Sequence, residues 1–171
     1  MTSSVTTPVT VPTSLMYQEA LSAGDCIAQE LAQDIDRYAE LGRALRSTNF
    51  HSAVTVARGS SDHASSYLAY LIMARMGRLV TSLPMSLITL YKSPLVTRDT
   101  LAVSISQSGQ SPDVVEPISY FRNGGATTVA LVNDASSPLA HAAEWTMPLH
   151  AGKEQSVVAT KRFIARLGAG A

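Results

Sequence analysis

The chain has 171 residues, with 13 Lys+Arg against 13 Asp+Glu, one cysteine and 15% charged residues, where an average soluble domain carries about 25%. That length suits one domain with a core large enough to need no disulfide staple, and Cys26 alone cannot form an internal one. A formal charge of zero gives no general attraction to nucleic acid or anionic membranes, and no apolar run reaches the roughly 20 residues that span a bilayer, so both partners are excluded and the chain reads as cytoplasmic.

Residues 1–14 are rich in Thr, Ser, Val and Pro, lack the cationic flank and apolar run of a signal peptide, and read as a disordered leader. Residues 15–50 form an N-terminal helical segment. In it Ile27, Leu31, Ile35, Tyr38, Leu41 and Leu45 recur at steps of three and four, which lines one helix face. Gly24-Asp25 marks a break, with Asp25 as the expected cap of the longer part.

After residue 50 the period changes. Short apolar or β-branched runs predict strands at Ala53–Ala57, Leu79–Leu83, Thr100–Ser104, Thr127–Val132 and Trp145–Leu149. Helical patterns lie between them at His63–Met76, Met85–Tyr91, Pro112–Arg122 and Ser137–Ala143, and a last one follows at Thr160–Leu167. Strict β-α alternation requires right-handed crossovers and hence a parallel sheet, and the near-continuous apolar character of the strands calls for burial on both faces. The fold class is therefore α/β, a three-layer αβα sandwich with a five-stranded parallel sheet, preceded by a helix. Ligands in such folds sit at the carboxyl ends of the strands, so the loops leaving the strands matter most.

Three of those loops carry polar chemistry: Arg58-Gly59-Ser60-Ser61-Asp62, Ser106-Gln107-Ser108-Gly109-Gln110-Ser111 and Gly152-Lys153-Glu154-Gln155-Ser156. In the middle one Ser111 is a natural N-cap, Pro112 suits the first helical position and Asp113 the first turn. Ahead of that helix, Ser106, Gln107, Ser108 and a flexible Gly109 offer hydroxyls, an amide and backbone N–H groups next to a positive helix end. Taken alone the segment fits either an anion cradle for one phosphate or a plain Ser-rich capped turn. Gly59-Ser60-Ser61 adds a second hydroxyl-bearing helix start. Neither G-x-x-x-x-G-K-[ST] nor G-x-G-x-x-G occurs, which argues against a P-loop nucleotidase and a dinucleotide fold and for a phosphate carried on a small molecule.

His51, His63, His141 and His150 are too scattered to form a metal set, and neither metal nor cofactor is assigned. Among them His63, at the start of the helix after Gly59-Ser60-Ser61, is the one candidate to face a ligand. Cys26 reads as a small apolar residue of the long helix, and Tyr67, Tyr70 and Trp145 as core or subunit contacts.

The segments Ala57-Arg58-Gly59-Ser60-Ser61, Ser104 to Asp113 and Gly152 to Lys161 together resemble a sugar isomerase (SIS) domain. The resemblance covers about Leu15 to Leu167. More narrowly it resembles the first SIS domain in the isomerase half of glutamine:fructose-6-phosphate aminotransferase and of aminotransferase-like glucosamine-6-phosphate deaminases. It implies a flavodoxin-like fold and a hexose or hexosamine 6-phosphate as ligand. Ser61, Ser106, Gln107, Ser108 and Ser111 would bind the phosphate, and Ser60, Val157 and Ala159 would lie against the sugar. Arg58 stands where the aminotransferases have Cys, and Ala159 where they have Ser, which is more like the deaminase branch.

The resemblance also implies a second SIS domain holding most of the acid/base groups, so residues 51–171 read as one SIS domain of a chain cut short. Within it Glu154 is the one candidate acid/base, and pairing with Lys153 or Lys161 is its bland alternative. A partner SIS domain or a homodimer would complete the site. The alternatives are a single-domain aldose-ketose isomerase and a non-catalytic phosphosugar sensor; the chain lacks the basic recognition helix of a transcription factor.

Overall fold

The computed structural model describes residues 14–151. Residues 1–13 of the expected leader 1–14, the last predicted helix and the candidates Glu154, Val157, Ala159 and Lys161 lie outside the described residues, and Ser14, the leader's last residue, caps α1. Helices α1 (Leu15–Leu21) and α2 (Ala23–Ser47) precede the alternating elements β1 (Ser52–Val56), α3 (Ser60–Met76), β2 (Leu79–Ser82), α4 (Ser86–Thr89), β3 (Thr100–Ser106), α5 (Pro112–Asn123), β4 (Thr127–Val132), α6 (Pro138–Ala142) and β5 (Trp145–Pro148).

The strands form one sheet in the order β2-β1-β3-β4-β5, with each neighbouring pair parallel. The side-chain period of two divides its apolar residues between the faces. Val54, Val56, Ala102 and Ala130 pack with Ile88 of α4, Val114, Ile118 and Phe121 of α5 and Leu139 of α6. On the other face Ala53, Leu101, Val103, Ile105, Val129, Leu131 and Met147 pack with Ala64 and Ile72 of α3, and Tyr38, Leu41 and Leu45 of α2 close over them. The result is the expected three-layer sandwich.

Several boundaries differ from the sequence reading. The helix break falls at Ser22 and not at Gly24-Asp25, so Asp25 lies in the first turn of α2 instead of capping it. Only the C-terminal half of the predicted apolar face of α2 reaches the sheet. Leu31 and Ile35 remain 43% and 56% exposed. The helix predicted from Met85 to Tyr91 is a single turn, and α3 starts three residues ahead of His63. Tyr67 and Tyr70 of α3 are exposed and do not join the core. Among the described residues no helix is long and apolar enough to cross a membrane.

Candidate functional site

From β1 the chain moves outward to β2, then returns to β3 on the other side of β1. The reversal opens a crevice at the carboxyl ends of β1 and β3, because the chain leaves β1 for α3 on one face and β3 for α5 on the other. The two strand ends are held together by their ladder, in which Val56 faces Ser104, and by Ser104 Oγ, which donates to the Val56 carbonyl at 2.8 Å. Two of the three polar loops singled out above leave from this point. The third begins beyond the described residues.

On the β1 side, Gly59 has φ 58° and ψ −134°, a conformation open to glycine and costly for other residues, and it turns the strand directly into α3. Its neighbours follow in a tight turn, with the Ser61 and Asp62 N–H groups donating to the Arg58 and Gly59 carbonyls. Ser61 is only 7% exposed, yet its hydroxyl has no hydrogen-bond partner among the described residues. A buried hydroxyl left alone costs about 1–3 kcal/mol, so this one favours a partner from beyond the described residues. Ser60 begins the helix and is exposed, while His63 sits on the exposed side of its first turns. Asp62 accepts from Ser82 Oγ at 3.3 Å and ties this helix start to β2.

On the β3 side the strand runs two residues further than predicted, so Ser106 ends the strand instead of opening the loop. Its Oγ accepts the Gly109 N–H at 3.1 Å, and Ser108 Oγ accepts the Gln110 N–H at 3.4 Å. Gly109 is not the flexible joint expected. It is buried with φ +62°, its carbonyl accepts the Leu139 N–H at 3.1 Å, and a Cβ there would run into the Ser137 side chain and lie 3.0 Å from Val132 Cγ2. The Gln107 carbonyl accepts the Asn133 N–H at 3.3 Å, which fastens the loop to the end of β4.

Ser111 stands at the N-cap of α5, as the sequence indicates, with Pro112 following. Its side chain makes no capping bond. Instead Arg58 Nη1 reaches across the crevice, donating to Ser111 Oγ at 3.2 Å and to Asp113 Oδ2 at 2.6 Å. The ion pair is more than half exposed on both sides, so its contribution to stability is at most about 1 kcal/mol. Because the cap is diverted, the Asp113 N–H keeps no protein acceptor among the described residues. The arrangement gathers hydroxyls, an unpaired N–H and a guanidinium beside the positive ends of two helices, and so can hold a small anion.

Three contributions escaped sequence reading. Asn133, besides its bond to Gln107, accepts the Ala151 N–H on Oδ1 at 2.9 Å and so links the loops leaving β3, β4 and β5. Ser137, fully buried, caps α6 through the Ala140 N–H and forms the wall behind Gly109. The signal was present in Ser137-Pro138, an N-cap followed by proline. His150, in the left-handed region at φ 42°, pairs with Asp34 of α2 at 2.5 Å just before the third loop; nothing in the local sequence announces a contact across 116 positions.

A separate cavity of about 220 Å³ lies between α2, α3 and the sheet, lined by Leu41, Leu45, Leu68, Ile72 and Met147 among others. Its walls are mainly apolar, with Tyr38 and Arg75 the lining residues that carry polar groups. No group of three or more metal-ligating side chains occurs among the described residues.

Residues 48–170 match the family model of the SIS domain. Isomerizing glutamine–fructose-6-phosphate aminotransferase of Thermus thermophilus is 33% identical over 130 residues, which is 76% of this chain and 21% of that enzyme. A solved Silicibacter pomeroyi DSS-3 protein assigned to the phosphosugar isomerases superposes with a TM-score of 0.89 at 38% identity, over 92% of this chain and 48% of that one. The C-terminal domain of the Francisella tularensis glucosamine-fructose-6-phosphate aminotransferase shares the fold, with a TM-score of 0.77 at 22% identity, over 96% of this chain and 47% of that one. This chain thus spans about a fifth of the curated relative and about half of each solved structure. Family match, sheet order and the paired loops at the reversal point agree: the chain belongs to the SIS domain family.

Proposed function

We propose that this chain binds a hexose or hexosamine 6-phosphate, with the phosphate in the crevice between the loops leaving β1 and β3. It would do so as the first SIS domain of a cytoplasmic amino-sugar phosphate isomerase of the glucosamine-6-phosphate deaminase or aminotransferase type. The observation that carries the reading is the convergence of Ser61, Ser106, Gln107, Ser108 and Ser111 on one strand edge, with the buried Ser61 hydroxyl lacking a protein partner among the described residues. These groups supply hydroxyl donors, the Gln107 amide and backbone N–H groups to the phosphate. Ser60, Val157 and Ala159 would meet the sugar.

Held by its phosphate, the sugar presents C1 and C2 to a base that moves a proton between them through an enediol. Binding energy spent at the phosphate fixes that end for reaction. Glu154 is this chain's candidate acid/base, and the remaining acid/base groups would come from a partner SIS domain or a second copy.

The test is a thermal-shift titration with glucosamine 6-phosphate and fructose 6-phosphate, with unphosphorylated glucosamine as control and Ser108→Ala as second arm. At 100 times its dissociation constant a ligand stabilises by about 2.7 kcal/mol. A shift that needs the phosphate and shrinks in the variant supports the reading. A cooperative melt unmoved by either sugar phosphate overturns it.

A further inference from the structure

Arg58 occupies a position at which it can do more than close a surface ion pair. Its backbone turns β1 into α3, and its side chain crosses the crevice to the start of α5. Only Nη1 is engaged, by Ser111 Oγ and Asp113 Oδ2; among the described residues Nε and Nη2 make no hydrogen bond, and the side chain is 56% exposed. A guanidinium carries five N–H donors in a planar fork, so the unengaged edge of this one retains the geometry that grips an oxyanion with two parallel bonds.

Its effect on Ser111 points the same way. A hydroxyl that accepts from Arg58 is drawn away from capping its own helix, and its hydrogen stays available to donate. The same contact leaves the Asp113 N–H open. One side chain therefore arranges two further donors beside its own. Asp113 opposes it, because the carboxylate holds part of the guanidinium and repels an arriving anion.

We propose that Arg58 determines specificity for a doubly charged phosphate ester at this site, by adding its free edge to the anion and by turning Ser111 toward it, with Asp113 as the internal competitor. The proposal rests on the phosphate reading above. It assigns to Arg58 the discrimination between a dianionic phosphate and a singly charged or neutral group of similar shape, which hydroxyls and N–H groups alone make weakly.

The experiment measures binding of glucosamine 6-phosphate, glucosamine 6-sulfate and glucosamine by calorimetry, using the full chain and its Arg58→Met, Arg58→Lys and Asp113→Asn variants, each checked for an unchanged cooperative melt. Loss of a charge-assisted hydrogen bond weakens binding by about tenfold to a hundredfold. Arg58→Met is expected to weaken the phosphate ester by that amount and the sulfate ester clearly less, while Arg58→Lys restores part of the phosphate preference. Asp113→Asn is expected to tighten the phosphate ester severalfold. A merely structural strut would affect both esters alike and would fail equally in Arg58→Met and Asp113→Asn, and either pattern overturns the proposal. If the unmodified chain binds the phosphate ester and Arg58→Met binds it equally well, this inference falls and the phosphate reading stands. If the unmodified chain shows no preference for the phosphate over glucosamine, both fall.

Discussion

Gly109→Ala tests whether the loop after β3 is built as tightly as its contacts indicate. The methyl group enters a backbone at φ +62° and meets the Ser137 side chain, with Val132 Cγ2 at 3.0 Å behind it. The left-handed conformation costs a non-glycine residue about 1 kcal/mol. Overpacking against a fully buried Ser137 adds about 1–3 kcal/mol, for a total destabilisation of about 2–4 kcal/mol. In a domain of this size that lowers the melting temperature by about 4–16 °C. Urea unfolding, followed by circular dichroism at constant m, reads the difference directly. Ser137→Gly provides the control, since glycine is itself tolerated at an N-cap and costs there only a few tenths of a kcal/mol. Placed in the Gly109→Ala background it removes the main clash and should recover about 1–2 kcal/mol, leaving the backbone strain and the Val132 contact. A Gly109→Ala variant within about 0.5 kcal/mol of the unmodified protein, or a double variant that recovers nothing, would refute the claim that Ser137 walls the loop.

Other consequences are independent of that loop. Arg122 Nη1 donates to the carbonyls of His141, Ala142 and Ala143 at 3.1, 3.2 and 3.1 Å, closing the C-terminal end of α6; Arg122→Ala should cost about 1–2 kcal/mol in urea unfolding, and Arg122→Lys should recover less than half of it. Ile118 is fully buried between α5 and the sheet, so Ile118→Ala should destabilise by about 2–5 kcal/mol, measured the same way. Hydrogen bonds from the Ser136 hydroxyl and N–H hold the Asp134 carboxyl below its ordinary value of 3.8. A carboxylate depressed in the folded state adds stability above its unfolded pKa and loses it as pH falls through the folded one. The stability gap between the unmodified protein and Asp134→Asn should therefore be constant from about pH 7 to 5 and close below about pH 4, as read from urea midpoints.

What could be read from the chain alone was local. Strand runs such as Thr127–Val132, bounded where the period changes, match their observed limits, because a strand buried on both faces must be apolar at nearly every position. The β-α alternation then leaves a parallel sheet as its simplest outcome, and with it the edge on which Ser61 and Ser106–Ser111 meet. Pro112 placed the start of α5 for an equally local reason, since a proline without an N–H belongs in a first helical turn.

Contacts between segments distant in sequence belong to the tertiary structure. Periodicity marks Leu31 and Ile35 as part of the same apolar face as Leu41 and Leu45, and only the position of α2 over the sheet separates the packed half from the exposed one. Gly109 reads as a flexible turn residue until Ser137 and Leu139, at the start of α6, are seen to pin it. Ser111 carries every local sign of a helix cap, yet its hydroxyl is drawn to a guanidinium from 53 positions away. Local propensity sets where each element begins and which faces are apolar, because it acts within a few residues. Which donors remain free at the crevice depends on long-range geometry, since a side chain takes whichever partner the assembled fold brings within reach.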